Sequence, residues 1–592
     1  MVRKRVNTRE RERTMAGRIN ISRRNFVAGL GFVSAAVLAA CGNKGGNAEA
    51  PAAEAPSTEP FTKLVEADGN FAYNALDDGV EYHFSNVLSP AYYVFAGAKD
   101  ADGAAELVGQ LGLAQSIETY VGSVVVVNPV DGAAYGDADV DAFVALAAAA
   151  GPANNVKVIG VDEGADFVLG PLASKLYFVA GVMTYGGSAA DAAGVPFVPA
   201  YLSNAPQAAV DAIIAANGAT QVSEGVYENA DDPLKRVIVA SDADLATAAA
   251  NAWEQVFSKN YRQHNEVTEF YMASIADFTD PYPLYSIPDF TQFNYVENYN
   301  AAVDGLEGEY TWFEYVPTRL ADAAAGSVPA IVTLHGNLND TRVQAESSGW
   351  LELACTEDLI VLAPEWQDVV YESGSDEPQP NFFGCDGLQN DRIITWLDMM
   401  FAKYPQIDTH RVYVTGLSAG SSASELYGVK YADTFAAVGG VSGPGIDKEE
   451  ITQIVENWDG TLVPFTYLCG DHDFFGMIPV DGSSQNSFPV AEDGTRIQAV
   501  DPRVPIFPII QAYQKANGLE VQEMDMSLDP WFGIKFDEVN DIMLGEKSAR
   551  EGVLLGADGQ PVMKLVAIKD QAHWNWKPEA AYLWEFFQNF SR

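Results

Sequence analysis

Histidine, cysteine and basic residues are all scarce in this chain, and each scarcity narrows what it can do. Six histidines and four cysteines serve 592 residues. No Cys-x-x-Cys pair occurs, so the thiolate spacing of a structural zinc site is missing. Lys and Arg number 35 against 81 Asp and Glu, a formal net charge of −46. A surface this negative repels phosphate backbones and anionic lipid headgroups, which argues against a nucleic-acid partner; the plain expectation is a solvated acidic coat. No apolar run reaches the ~20 residues that a bilayer span needs. Apolar and aromatic side chains are plentiful, at 48% and 11% of residues, enough at this length to fill more than one large core.

The basic residues gather at the N-terminus, where residues 1–40 hold nine Lys and Arg against two Asp and Glu. That segment contains Ser22-Arg23-Arg24-Asn25-Phe26-Val27, then an apolar run of about 13 to 15 residues from Ala28, too short for a span, then Leu38-Ala39-Ala40-Cys41-Gly42. An arginine pair before a modest apolar run resembles a twin-arginine export signal, and Leu-Ala-Ala-Cys resembles a lipobox, whose cysteine becomes a lipid-bearing N-terminus. Residues 1–41 are therefore expected to direct export and to anchor the protein through Cys41 to the outer face of the membrane, with Met15 an alternative start. Residues 42–60, without a core-forming side chain, read as a low-complexity tether. With Cys41 consumed, Cys355, Cys385 and Cys469 remain, so at most one intrachain disulfide can form. A Cys355–Cys385 bridge and buried free thiols are the two alternatives.

Comparing the chain with itself exposes a repeat. Pro90 to Gly97 aligns without a gap on Pro329 to Gly336, Val124 to Pro129 on Leu359 to Pro364, and Asn155 to Gly164 on Arg411 to Gly420. Val195-Pro196-Phe197 recurs as Val463-Pro464-Phe465, Ile213 to Gly218 echoes Tyr513 to Gly518, and Val237 to Val256 is similar to Leu565 to Phe587. Buried-strand runs alternate with helical stretches of about 10 to 15 residues in the same order in both halves. This predicts an α/β fold of two tandem domains, each a mostly parallel sheet flanked by helices, at about residues 61–262 and 263–592.

The stretch Gly416-Leu417-Ser418-Ala419-Gly420 follows the strand-like Arg411–Thr415 and precedes small residues able to start a helix. Strand, Gly-x-Ser-x-Gly, helix is the context of a nucleophile elbow, whose sharp turn lifts a serine hydroxyl above the sheet edge. A Gly/Ser turn is the plain alternative, so partners must be found. A serine hydroxyl needs an imidazole to take its proton and a carboxylate to orient that imidazole. In the chain order Ser, acid, His, only His472 and His573 qualify, since His83, His264, His335 and His410 all precede Ser418. His573 sits on the loop between the apolar strand Met563–Ile568 and the last helix, where it can swing over the elbow. The acid is expected in Cys469-Gly470-Asp471-His472-Asp473, with Asp473 favoured, Asp471 the alternative, and the loser a turn residue. In the first copy Asp162 replaces Ser418, Ala96 replaces His335 and Asp244 replaces His573. An aspartate nucleophile would still need a histidine to activate water, so a non-catalytic scaffold or binding domain is expected there.

The second copy resembles the polyhydroxybutyrate depolymerase-like carboxylesterases of the α/β-hydrolase fold, which include feruloyl and acetylxylan esterases. The residues that carry the resemblance are Leu334-His335-Gly336, Ser348-Gly349-Trp350, Ala363-Pro364-Glu365, Arg411 to Gly420 and Phe435-Ala436-Ala437, and they cover most of 325–475. The family's acid motif, His-Gly-x-x-Asp, appears with Cys469 in place of the histidine but keeps Gly470 and Asp473. The resemblance implies an esterase with the triad Ser418, Asp473 and His573, without a metal or an organic cofactor. It also implies an oxyanion hole built from the backbone N–H of Ala419 and of Asn337 or, second, Gly336. His335 is expected to shape that loop and to border the substrate pocket. Candidate pocket walls are Trp366, Phe382, Phe383, Phe474, Phe475, Trp531, Trp574 and Trp576, several of which must be ordinary core. The insert 479–508 is either a lid or a decoration. The partner implied is an ester, small or polymeric; a binding-only lipoprotein and a serine peptidase are the alternatives.

Overall fold

The computed structural model describes residues 61–67, 69–75, 90–112, 123–149, 155–188, 190–262, 281–337, 339–371, 377–473, 477–481, 483 and 506–592. The signal-like segment, the tether, Cys41, His83, His264, Phe474, Phe475 and most of the 479–508 insert lie outside them. The described residues divide into two compact units, one running through Arg262 and taking in Tyr282, the other running from Pro283 to Arg592.

In the first unit the elements follow the order β1 (Phe61–Ala67), β2 (Asn70–Ala75), β3 (Ala91–Phe95), α1 (Ala101–Leu111), β4 (Ser123–Val127), α2 (Asp137–Ala149), β5 (Val156–Val161), α3 (Glu163–Val168), β6 (Gly181–Tyr185), β7 (Ala200–Ser203), α4 (Gln207–Ala216), β8 (Thr220–Ser223), β9 (Val226–Glu228), β10 (Arg236–Ala240) and α5 (Leu245–Ala252). The second unit follows with β11 (Phe293–Ala301), β12 (Tyr310–Pro317), β13 (Val328–Leu334), α6 (Thr341–Ser347), α7 (Trp350–Thr356), β14 (Ile360–Pro364), α8 (Asp391–Lys403), β15 (Ile407–Leu417), α9 (Ala419–Lys430), β16 (Ala437–Val441), α10 (Lys448–Val455), β17 (Phe465–Gly470), α11 (Phe507–Ala516), β18 (Glu538–Leu544), β19 (Lys547–Leu555), β20 (Pro561–Ile568) and α12 (Pro578–Phe587).

Each unit holds one ten-stranded sheet, and the two sheets share one strand order. The first runs β1-β2-β4-β3-β5-β6-β7-β10-β9-β8 and the second β11-β12-β14-β13-β15-β16-β17-β20-β19-β18, so every strand has a counterpart at the same place. In both, the central strands are parallel and the outer strands at each edge are antiparallel. Central strands such as Ser-Val-Val-Val-Val in β4 and Ile-Val-Leu-Ala-Pro in β14 are buried throughout. A parallel sheet covered on both faces requires such continuous apolar runs rather than alternation. Helix α8 shows how the faces are covered: Ile393, Trp396, Leu397 and Met400 recur at helical spacing and are buried, while Asp391 opens and Lys403 closes the helix in accord with its dipole. Among the described residues, no helix is long and apolar enough to cross a membrane.

Candidate active site

Because the central strands are parallel, their C-terminal ends lie on one edge of the sheet, and loops distant in sequence leave from that edge together. Leu334 at the end of β13 is paired with Gly416 of β15, so the loop His335-Gly336-Asn337 emerges beside Ser418. Gly470 at the end of β17 is paired with Ile568 of β20, so the loop with Asp471–Asp473 emerges beside the one with His573.

Ser418 sits between β15 and α9 with φ 57° and ψ −118°. A left-handed φ at a residue with a Cβ is strained, and the strain is what turns the chain sharply enough to present the side chain. The glycines make the turn possible: a Cβ on Gly420 would lie 2.2 Å from the Leu334 carbonyl oxygen, so only glycine lets α9 seat this close to β13. Ser418 is half-exposed, its N–H donates to Val441 O at 2.9 Å, and the Ala419 N–H opens the helix among the amides that have no acceptor within it. In the first unit Asp162 adopts the same elbow, φ 51° and ψ −111°, and a Cβ on Gly164 would lie 1.8 Å from Phe95 O.

Asp473 and His573 face each other. Both Asp473 carboxylate oxygens lie near the His573 Nδ1, Oδ1 at 3.1 Å and Oδ2 at 3.0 Å, and both side chains are buried. A carboxylate here requires the proton on Nδ1 and leaves Nε2 as the basic nitrogen. Asp471 turns elsewhere: its Oδ1 accepts from the Asp570 N–H at 2.7 Å and contacts the His472 Nδ1 at 2.7 Å. It ties the acid loop to the histidine loop. The two backbones touch as well, with His472 N–H donating to Gln571 O at 3.0 Å and a Cβ on Gly470 falling 1.7 Å from that oxygen. Replacing Gly470 with alanine is expected to destabilise the second unit by about 3 kcal/mol, since backbone must give way on both sides. Thermal or denaturant unfolding of the variant against the wild type checks this; a change under about 1 kcal/mol, close to that of an ordinary surface substitution, would show that the loops part without cost.

The loop after β13 is held from behind. His335 is fully buried, with Nε2 2.7 Å from Glu365 Oε1 and Nδ1 2.8 Å from Gly336 O, and its own carbonyl accepts from Trp366 Nε1 at 2.8 Å. It therefore offers no face to a substrate pocket, which corrects the expectation that it borders one: both ring nitrogens are engaged inward. Gly336 packs against Ser418, a Cβ placed on it lying 3.3 Å from Ser418 Cβ. The Asn337 side chain is clamped to Tyr371, donating to its carbonyl at 2.9 Å and accepting from its N–H at 3.1 Å. Of the aromatic candidates, Trp574 and Trp576 are buried at 2% and 1% exposure and belong to the framework, whereas Trp366, Phe382, Phe383 and Trp531 are half-buried. Phe474 and Phe475 lie outside the described residues.

Two residues named in the sequence motifs turn out to touch these groups, and the sequence carries no sign of either contact. Glu365 was visible only as the end of Ala-Pro-Glu, and nothing in the chain indicated that it meets His335. Cys469 lies with its sulfur 3.8 Å from Asp473 Oδ2, where the thiol can donate to the carboxylate. Cys355, Cys385 and Cys469 are all free thiols, so Cys355 and Cys385 are unbridged. Among the described residues, one group of side chains lies close enough to hold a metal ion, Asp471, His472 and Asp570, with donor atoms within 4.8 Å. Its Asp471 oxygen is already engaged and the Lys569 ammonium stands 3.8 Å from Asp570 Oδ2, so the group is satisfied from within.

In the first unit other groups stand at these positions. Asp162 takes the serine's place, and the carboxylate of Glu163 lies over Gly97, the counterpart of Gly336, so that a Cβ there would be 1.7 Å from Glu163 Oε1. Asp244, in the position of His573, accepts from Thr247 N–H at 2.8 Å and caps helix α5.

No family model matches the chain. Two curated proteins are similar to part of it. Poly(3-hydroxyalkanoate) depolymerase C of Paucimonas lemoignei is 31% identical over 142 residues, 23% of this chain and 32% of the relative. The probable acetylxylan esterase A of Aspergillus flavus is 26% identical over 125 residues, 21% of this chain and 38% of the relative. The chain thus spans between 32% and 38% of the length of these relatives. Among solved structures, the acetyl xylan esterase from Aspergillus awamori is aligned over 50% of this chain and 99% of its own at 13% identity, with a TM-score of 0.32, too low to weigh. The fold rests on strand order and elbow geometry: the two units are tandem α/β-hydrolase-like domains, and the partial similarity is to hydrolases of the esterase and depolymerase class.

Proposed function

We propose that the second unit is a serine carboxylesterase with Ser418 as nucleophile, His573 as general base and acid, and Asp473 as the residue that orients the imidazole. The observation that carries the reading is the Asp473–His573 contact on the same sheet edge as a serine held in a strained elbow. Ser418 Oγ attacks the ester carbonyl carbon while His573 Nε2 takes its proton. The tetrahedral oxyanion accepts from the N–H groups of Ala419 and Asn337, each contributing ~3 kcal/mol to lowering the barrier. His573 then protonates the leaving alkoxide, and water activated by the same imidazole releases the acid from the acyl-enzyme. The partial relatives act on a polyester and on acetylated xylan by name, and the present reading covers carboxylic esters as a class. The first unit serves as scaffold or binding domain. Residues 1–41 direct export and attach the protein at Cys41 to the outer face of the membrane.

Labelling of residues 42–592 with a fluorophosphonate probe, followed by peptide mapping, tests the reading directly. A covalent adduct confined to Ser418 is expected. Folded protein that takes no label, yet binds ligand equally well as Ser418→Ala, would instead be a binding lipoprotein, and a label on another serine would move the site. Ester and amide forms of one acyl group separate an esterase, which leaves the amide intact, from a peptidase.

A further inference from the structure

The buried contact between His335 and Glu365 is an unusual expense. Glu365 is fully buried, one of its oxygens meets His335 Nε2 at 2.7 Å, and the other, Oε2, has no hydrogen-bond partner. A carboxylate taken out of water with half its lone pairs unmet is costly unless a cation stands beside it. His335 is built to be that cation. Its Nδ1 faces the Gly336 carbonyl oxygen at 2.8 Å, an acceptor only, so Nδ1 must carry hydrogen. Its Nε2 faces a carboxylate. Burial alone opposes charge on this ring, but Glu365 at its side turns the balance and lifts the imidazole above its ordinary value. Asp340, buried nearby with its carboxyl pushed up to about 7 by burial, faces the same pair.

The geometry points to His335 and Glu365 together as positioning residues for the second oxyanion donor, with the imidazole held doubly protonated and its Nδ1–H pinning the Gly336 carbonyl. This rests on the esterase reading of Ser418 and deepens it. The Gly336 oxygen accepts from two donors, His335 Nδ1 and Asn339 N–H at 3.1 Å. In a planar trans peptide the carbonyl of one residue and the N–H of the next point in opposite directions. Fixing the Gly336 C=O toward His335 and Asn339 therefore fixes the Asn337 N–H away from them. Gly336 is packed on Ser418, so the peptide whose orientation is being held is the one beside the nucleophile.

The repeat supplies an internal control. The first unit builds the same ten-stranded sheet with the same elbow, yet Ala96 stands in place of His335 and, one residue beyond the aligned Pro129, Val130 in place of Glu365. Val130 is 65% exposed. The Ala96 carbonyl there accepts from Lys99 Nζ at 2.6 Å, and the Ala96 N–H donates to the Tyr135 hydroxyl at 3.2 Å. The fold thus closes this loop without a buried ion pair. The pair occurs only in the copy that carries the serine.

Three variants of the mature chain test the inference, with kcat and KM on an ester and the rate of fluorophosphonate labelling at Ser418 as readouts. His335→Leu removes the donor to Gly336 O; kcat and labelling rate are expected to fall by about 10- to 100-fold, with KM within about twofold. His335→Asn places a side-chain amide where Nδ1 was and is expected to restore most of that loss. Glu365→Gln keeps the shape but removes the charge, and an intermediate loss is expected. The nitrogen NMR shifts of His335 in the wild-type protein at neutral pH are expected to show both ring nitrogens protonated, and this measurement stands even where a variant does not fold. Unchanged kcat and labelling in folded His335→Leu, or an unprotonated Nε2 in the wild type, overturns the inference while leaving the esterase reading intact. A folded wild type that neither labels nor turns over any ester overturns both.

Discussion

Replacing Ser418 with alanine is expected to lower kcat on an ester by roughly 10⁵- to 10⁶-fold while leaving the unfolding transition nearly unchanged. The two halves of that expectation have separate causes. Activity is lost because Ser418 is the hydroxyl presented at the elbow beside Gly336 among the described residues, and the oxyanion donors and binding remain to help water. Stability is kept because the Ser418 side chain makes no capping hydrogen bond to helix α9, and alanine meets the same strained φ of 57° that serine does. His573→Ala is expected to cost a similar factor, and the double variant no more than either single one, because a nucleophile without its base and a base without its nucleophile are both idle. Steady-state kinetics with a thermal melt on each variant would decide it. Turnover within tenfold of wild type in a folded Ser418→Ala, against a loss of order 10⁵, would remove the serine from the mechanism.

Asp473→Asn should lower kcat by about 10⁴-fold, whereas Asp471→Asn should lower it by less than about tenfold. Asparagine has the shape of aspartate but can turn an N–H toward His573, which then presents the wrong nitrogen to Ser418. The carboxylate of Asp473 lies 3.0 Å from Nδ1, so the variant takes the carboxylate acceptor away from this nitrogen. Asp471 accepts a backbone N–H from Asp570 instead, and its neutralisation loosens a loop contact without touching the imidazole. Comparable losses in the two variants, or a larger one in Asp471→Asn, would exchange the acid for the turn residue. Cys469 stands where the related acid motif has histidine, and its contact with Asp473 Oδ2 at 3.8 Å shows how the departure is accommodated: a small buried thiol still faces the carboxylate.

Much of this protein was legible before any coordinates. The repeat could be read because buried parallel strands demand continuous apolar runs, and such runs keep their spacing even when side chains at the loops change. The elbow could be read because its turn tolerates only glycine at Gly416 and Gly420, where a Cβ would meet backbone within 2.6 Å and 2.2 Å of Leu334 O. Ser418, the two aspartates and His573 could be named as candidates because each follows a strand-like apolar run, and parallel strands deliver their C-terminal loops to one edge; their chain order is what the resemblance to α/β-hydrolases implies. The expectation that His335 borders the pocket had no such constraint behind it, and the tertiary structure turned that ring inward.

Taken by itself, the sequence determined which residues could take part: one serine in an elbow, one downstream histidine on a loop after the last strand, two competing aspartates, and a sister copy in which these chemical groups are absent. These are properties of spacing and residue type, set by covalent connectivity and by the few conformations a glycine-flanked turn permits. Only the tertiary structure decided between partners. Asp473 rather than Asp471 faces His573 because the pairing of Gly470 with Ile568 and the close approach of Gly470 to Gln571 set the direction in which each side chain leaves its loop. His335 meets Glu365 because β13 and β14 lie side by side and both side chains leave at the ends of those strands. Neither contact has a signature along the chain, since each joins residues 30 or 100 positions apart through hydrogen bonds that exist only once the sheet has formed.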